Sequence, residues 1–233
     1  MNMDDRLIRA QVPEPGNPAI MAADVSGLPP ADVPHYLYGL ARLELLKRGL
    51  FPVHAACVGR GGRFALLVGH SGDGKTSVVL NLVGRPDWRI FSGNKTAVGF
   101  PQDGKIVAVA GTKVITVRAP DGGRAFAEIG AERFETAEKA EIAAIFRVRL
   151  SDGADSCVRL PDLGALHVLY PFFLDAVNAD VVLDGGSRVL SGEPPAGARE
   201  RLAGGLRDAL VRIPVFEIAG SAAFVAERIT ENL

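Results

Sequence analysis

Residues 69–76, Gly69-His70-Ser71-Gly72-Asp73-Gly74-Lys75-Thr76, fit the pattern G-x-x-x-x-G-K-[ST]. Each fixed position has a chemical reason. Glycines let successive backbone N–H groups turn inward around phosphate oxygens. Lys75 reaches the β- and γ-oxygens as a point charge, and the Thr76 hydroxyl is the type that ligates Mg²⁺. A helix beginning here adds its N-terminal dipole to the anion site. The candidate contacts to a nucleoside triphosphate are Gly69, Ser71, Gly72, Asp73, Gly74, Lys75, Thr76 and Ser77. At this chain's own frequencies of Gly, Lys and Ser+Thr, a chance match arises in roughly one chain of two hundred. The rival is a Gly-rich turn that merely caps a helix. The apolar run Phe64 to Val68 before the pattern and the amphipathic run Ser77 to Val83 after it favour the phosphate loop. No base-reading motif separates adenine from guanine.

Other elements must position this loop. Residues 1–30 carry Pro13, Pro15, Pro18, Pro29 and Pro30 with little periodicity, which predicts an extended N-terminal arm ahead of a single nucleotide-binding domain over 31–233. Apolar residues at helical spacing predict a helix over 34–49, stopped by Gly49. A strand over 51–58 and another over 64–68, joined by a Gly-rich turn, predict a hairpin. Four short β-rich runs follow at 88–91, 96–100, 106–110 and 114–118. Their separators are too short for crossover helices, so the sheet after the first helix is expected to be largely antiparallel. Further along, the pattern predicts a helix over 131–140, a strand over 142–150 and short helices over 163–177 interrupted by Pro171. A helix over 198–211, a strand over 214–218 and a last helix over 221–233 capped by Ser221 complete the chain. The fold class is therefore α/β (α+β): a mixed, largely antiparallel sheet with a phosphate loop and flanking helices.

Composition removes several function classes. The 233 residues are 48% hydrophobic and 23% charged, which is globular rather than disordered composition. Lys+Arg total 26 and Asp+Glu 27, a net charge of −1, so bulk charge gives no pull on nucleic acid or anionic membrane. Cys57 and Cys157 make no disulfide framework, and no Cys/His spacing suits structural zinc. The N-terminal residues include acids and no apolar core, so no secretory signal is expected. No long uncharged apolar run predicts a membrane span. The expected location is cytoplasmic.

Pro52-Val53-His54-Ala55-Ala56-Cys57-Val58, the hairpin leading into the phosphate loop, the antiparallel strands after it and the late Ile213-Pro214-Val215-Phe216-Glu217-Ile218 together carry a resemblance. The chain from about Gly49 onward resembles the HPr kinase/phosphorylase family, and more closely the shorter HPr-kinase-like serine kinases often encoded beside peptide-modification genes. That family's fold resembles phosphoenolpyruvate carboxykinase. The resemblance implies ATP and Mg²⁺ as cofactors and self-assembly into a homo-oligomer. It also implies that His54 sits near the transferred phosphate. As a residue alone, a lone His on an apolar strand reads more readily as a packed histidine. In the family the strand after the phosphate-loop helix ends in two aspartates, one acting on the acceptor hydroxyl and one on the metal. Here Gly93 and Asn94 stand at those positions, followed by Lys95. Gly93 can do no acid–base work, and Asn94 offers Mg²⁺ one neutral carbonyl.

The expected activity is that of an ATP- and Mg²⁺-dependent kinase. It would transfer the γ-phosphoryl group to a hydroxyl of a peptide serine or a small molecule, with His54 and Lys75 catalytic and Thr76 and Asn94 on the metal. The alternative is a nucleotide-binding accessory or regulatory protein, a degenerate kinase lacking the acidic pair; a third is other nucleotide-driven chemistry such as carboxylate activation. Restoring Asp at both 93 and 94 is the sequence-level test between the first two. Among other residues, Lys113 reads as a solvated strand lysine, Arg147 and Arg149 as one solvated strand face, and His167 as a packed helix histidine. Cys57 is expected on the face opposite His54, and the 169–174 stretch in the core.

Overall fold

The first break with expectation falls at His54. The structure, a computed structural model, describes residues 7–12, 19–24, 33–118, 124–127, 129–177, 180–182, 188–190 and 193–233. Strands β1 (Leu7–Val12) and β2 (Ala19–Asp24) pair antiparallel within the segment expected to be an arm; the rest of 1–30 lies outside the described residues. Helix α1 (Val33–Lys47) ends before Gly49, whose φ of 71° suits glycine. The strand expected over 51–58 is two strands, β3 (Phe51–Val53) and β4 (Ala55–Arg60), with a bend at His54. The chain returns through Gly61 and Gly62, both at positive φ as a two-residue I′ turn demands, into β5 (Arg63–Val68).

Helix α2 (Lys75–Val83) follows, then β6 (Trp88–Ser92), β7 (Thr96–Gly99), β8 (Val107–Gly111), β9 (Thr116–Arg118) and β10 (Arg124–Phe126). The helix expected over 131–140 is one short turn at Ala131–Arg133 followed by extended chain. Phe134 is that segment's one large apolar side chain, so a helix there has no stripe to bury. Instead Phe134 bridges to Ile90, and the Glu135 N–H donates to the Ile90 carbonyl at 2.8 Å. Strand β11 (Ala140–Leu150) comes next, then β12 (Ser156–Arg159), too short and polar to stand out in the sequence. Residues 162–174 form one helix, α3 (Asp162–Leu174), with Pro171 inside it rather than separating two; burial of Ala165, Leu169 and Phe173 offsets the hydrogen bond that Pro171 cannot donate. The hairpin strands β13 (Asp180–Val182) and β14 (Arg188–Leu190), helix α4 (Ala198–Leu210), strand β15 (Val215–Gly220) and helix α5 (Ala222–Asn232) complete the order. Ser221 caps α5 as expected, accepting from the Phe224 N–H at 3.2 Å.

The main sheet runs β3-β7-β8-β11-β5-β4-β6, with β15 on β11 and β12 outside β15. Only the β11–β5 and β11–β15 pairings are parallel; the others in this sheet are antiparallel, so it is mixed and largely antiparallel. Alternation along the central strands splits the core in two. Ala55, Cys57, Leu66, Val68 and Ile145 face a layer built from α3 and α4, while Ala56, Val58, Leu67, Phe146 and Val148 face α2 and α5. Because both faces are covered, β4 and β5 read as nearly unbroken apolar runs.

The bend at His54 is held from the side. Fully buried Thr96 pairs with Val53, and its hydroxyl donates to the Ala55 carbonyl at 2.7 Å. Thr96→Val keeps the shape but leaves that buried carbonyl short of a partner. The expected loss is about 1–3 kcal/mol, read as a lower denaturation midpoint with an unchanged unfolding slope.

Candidate functional site

Strand register brings the candidate residues to one sheet edge. Val68, the last residue of β5, pairs with Ala55 on one side and Arg147 on the other. His54 thus abuts the start of the 69–74 loop. Ser92 pairs with Cys57 and Thr96 with Val53, which brings the Gly93-Asn94-Lys95 turn to the same edge.

The loop is shaped by backbone contacts. Gly72 and Gly74 have φ of 94° and 90°, and a Cβ on Gly74 would lie 2.2 Å from Leu150 Cγ. The His70 N–H donates to Asp73 Oδ2 at 2.6 Å, and the Asp73 N–H to the His70 carbonyl at 3.2 Å. The Leu150 N–H donates to the Asp73 carbonyl at 2.8 Å and ties the loop to the end of β11. Gly74 precedes α2 without a side-chain cap, so the N–H groups of the first turn, Lys75, Thr76 and Ser77, have no intrahelical acceptor. That arrangement suits an anion. Buried Lys75 lies across the loop, its Nζ donating to the carbonyls of Gly69 at 2.7 Å and His70 at 2.9 Å. Burial lowers its pKa, opposed by the Asp73 carboxylate. Thr76 is half-buried, and Ser71 and Ser77 are exposed. The uncapped N–H groups, the ammonium and the Thr76 hydroxyl are a donor set that fits a phosphate chain with its Mg²⁺.

The 93–95 turn is fastened to Thr112. Its hydroxyl accepts from the N–H groups of Asn94 at 3.1 Å and Lys95 at 3.2 Å. The Gly93 N–H donates to the Thr112 carbonyl at 2.8 Å, and the Thr112 N–H to the Lys95 carbonyl at 3.0 Å. Gly93 is there for space: a Cβ would lie 2.4 Å from Ile115 Cδ1 and 2.5 Å from the Val114 carbonyl oxygen. The restoring change at 93 suggested by sequence is therefore sterically blocked. The Lys95 ammonium rests 4.1 Å from the centre of the Tyr38 ring on α1.

The His54 ring lies close enough to the Asn94 side chain, Lys75, Lys95 and Asp175 for each of them to act on its charge. Burial, then the two ammonium groups, bring its pKa down to about 4, against the opposing pull of Asn94 and Asp175. His54 is thus neutral at pH 7. Its folded pKa lies below its unfolded value near 6.5, so the unfolded chain binds the extra proton first. The stability this contributes is present above pH about 6.5 and is lost as pH falls toward 4. Wild type should lose more thermal stability between pH 7 and 4.5 than His54→Gln, checked by melting both across that range.

Of the residues read from sequence, His54, Lys75 and Asn94 come together, while Lys113, Arg147 and His167 differ from expectation. Lys113 leaves the strand and donates to the carbonyls of Phe91 at 2.9 Å and Glu135 at 3.1 Å. Arg147 pairs with Glu217 on the neighbouring strand. His167 is exposed on α3. The side chains of Arg118 and Arg124 lie outside the described residues. Cys57 is fully buried, and burial raises its thiol pKa. Leu169 and Phe173 are in the core as expected. The sequence reading missed Asp175, Tyr38 and Thr112, which reach the site only through long-range packing. The His70 ring lies 4.8 Å from that of Phe172 at the end of α3.

Among the described residues no helix is long and apolar enough to cross a membrane, and no group of three or more His, Cys, Asp and Glu side chains could hold a metal ion. No family model matches the chain. No curated protein matches it. Among solved structures it is similar to the Hpr(Ser) kinase/phosphatase from Coxiella burnetii, at 12% identity and a TM-score of 0.38, over 78% of this chain and 94% of that one.

Proposed function

We propose that the chain is an ATP- and Mg²⁺-dependent phosphotransferase that moves the γ-phosphoryl group to a hydroxyl of a peptide serine or small molecule. The observation that carries this reading is the loop itself: uncapped first-turn N–H groups, preceded by a loop across which buried Lys75 lies. The backbone holds the phosphates, and Lys75 supplies charge at the β- and γ-oxygens. Thr76 and the Asn94 carbonyl are the protein oxygens that would hold Mg²⁺, which in such sites takes few protein ligands and completes its shell with phosphate and water. The metal's chemical contribution is to neutralise charge building on the phosphate oxygens. Neutral His54 stands beside the transferred group, and Lys95, oriented by Tyr38, adds a second cation there. Phosphoryl transfer depends mainly on positioning and charge stabilisation, which these residues can provide. An activity fed by ATP belongs in the cytoplasm.

Gly93 favours a second reading. With no room for a side chain at that position, the chain would bind nucleotide as an accessory protein without transferring phosphate. Incubation with ATP and Mg²⁺, with and without serine-containing peptides, followed by mass analysis of nucleotide and peptide separates the two. ADP with a phosphorylated peptide supports the transferase; bound, intact ATP under every condition supports the accessory protein.

A further inference from the structure

We propose that Asp175 is the catalytic base of this site, accepting the proton of the acceptor hydroxyl in place of the carboxylate that position 93 has no room to hold. The inference rests on the phosphotransferase reading. Two packing contacts place Asp175. The last turns of α3 lie against the phosphate loop, where the Phe172 ring meets the His70 ring at 4.8 Å. The next turn, Asp175–Val177, packs on β3, with Ala176 and Val177 buried in the same cluster as Phe51 and Val53. His54 follows Val53 directly, and the Asp175 charge acts on its ring. Asp175 is exposed, and among the described residues its carboxylate makes no hydrogen bond or ion pair. It also sits at the C-terminal end of a 13-residue helix, where the macrodipole disfavours an acid, so helix stability gives no reason for it. The other nearby carboxylate, Asp73, is already engaged by the His70 N–H.

In the step, a lone pair of the hydroxyl oxygen forms the bond to the γ-phosphorus. The hydroxyl proton passes to an Asp175 carboxylate oxygen. The bond from the γ-phosphorus to the β,γ-bridging oxygen breaks, and its electron pair leaves with ADP. Exposed Asp175 then returns the proton to solvent. Water is the acceptor that needs no further identification.

The test uses the full chain with ATP, Mg²⁺ and water. Asp175→Asn and Asp175→Glu are compared with wild type for ADP formation, for ATP·Mg²⁺ binding by calorimetry, and for melting temperature. Asp175→Asn should lower turnover by about 10²–10⁴-fold with binding intact and no loss of melting temperature. Asp175→Glu should recover part of the rate, and the acidic limb of the wild-type pH–rate profile should vanish in Asp175→Asn. A loss smaller than about 10²-fold, a parallel loss of binding, or a wild type that binds ATP and never turns it over overturns the role of Asp175. No nucleotide binding by wild type overturns the underlying reading as well.

Discussion

Lys75→Ala should abolish ATP·Mg²⁺ binding and lower any phosphoryl transfer by about 10²–10³-fold or more, the range seen on removing one donor aimed at developing charge. Lys75 is 7% exposed, and its Nζ is fixed above the loop by the Gly69 and His70 carbonyls. An ammonium held in a desolvated position is worth more to a phosphate oxygen than a free surface lysine. The substitution also removes a partner from two loop carbonyls, so a modest fall in stability is expected, on the order of 1–3 kcal/mol. Lys75→Met, which retains most of the side-chain volume, separates the effects: it should melt closer to wild type and still fail to bind. Nucleotide titration and thermal melting of the three proteins check this. Wild-type binding by either variant would mean that the loop does not hold phosphate.

The second large effect lies at positions 93 and 94. Gly93→Asp should destabilise the fold by about 1–3 kcal/mol or more, as overpacking does, and should gain no activity. Its Cβ would meet both a backbone oxygen and the buried Ile115 side chain, and its carboxylate would enter a buried position without a partner. Asn94→Asp differs because Asn94 is half-buried and the two side chains are nearly the same size. The new carboxylate should raise the pKa of His54 from about 4 and tighten Mg²⁺ binding. Melting curves of both variants and Mg²⁺ titrations in the presence of ATP check the pair. A stable, more active Gly93→Asp protein would show that the turn can open, contrary to the packing seen.

Much of the frame was legible because local rules decided it. The Gly61-Gly62 turn, the Ser221 cap and the alternating short strands each follow from nearby residue types, and the separators after α2 ruled out crossover helices. The 69–76 loop was legible because its G-x-x-x-x-G-K-[ST] pattern sets residue types at fixed spacing. What stayed hidden depends on partners far along the chain. The bend at His54 exists because β3 and β4 join different neighbours, with Thr96 supplying a bond across the gap. The 131–140 segment lost its helix to Ile90, more than forty positions earlier in the chain. Gly93 read as a missing acid; only the positions of Val114 and Ile115 show it to be a steric requirement. Asp175 stood out in no motif, since its place beside His54 comes from the packing of its turn on β3.

The roles proposed for His54, Asn94 and Asp175 all require that residues 69–77, with Lys75, form a nucleoside triphosphate site. Calorimetric titration of the wild-type chain with ATP, in the presence and absence of Mg²⁺, tests it most directly. Saturable one-site binding that tightens with Mg²⁺ and is competed by ADP is the expected result. Absence of binding heat and of any thermal shift at millimolar nucleotide would contradict it, along with the phosphotransferase reading and the role given to Asp175.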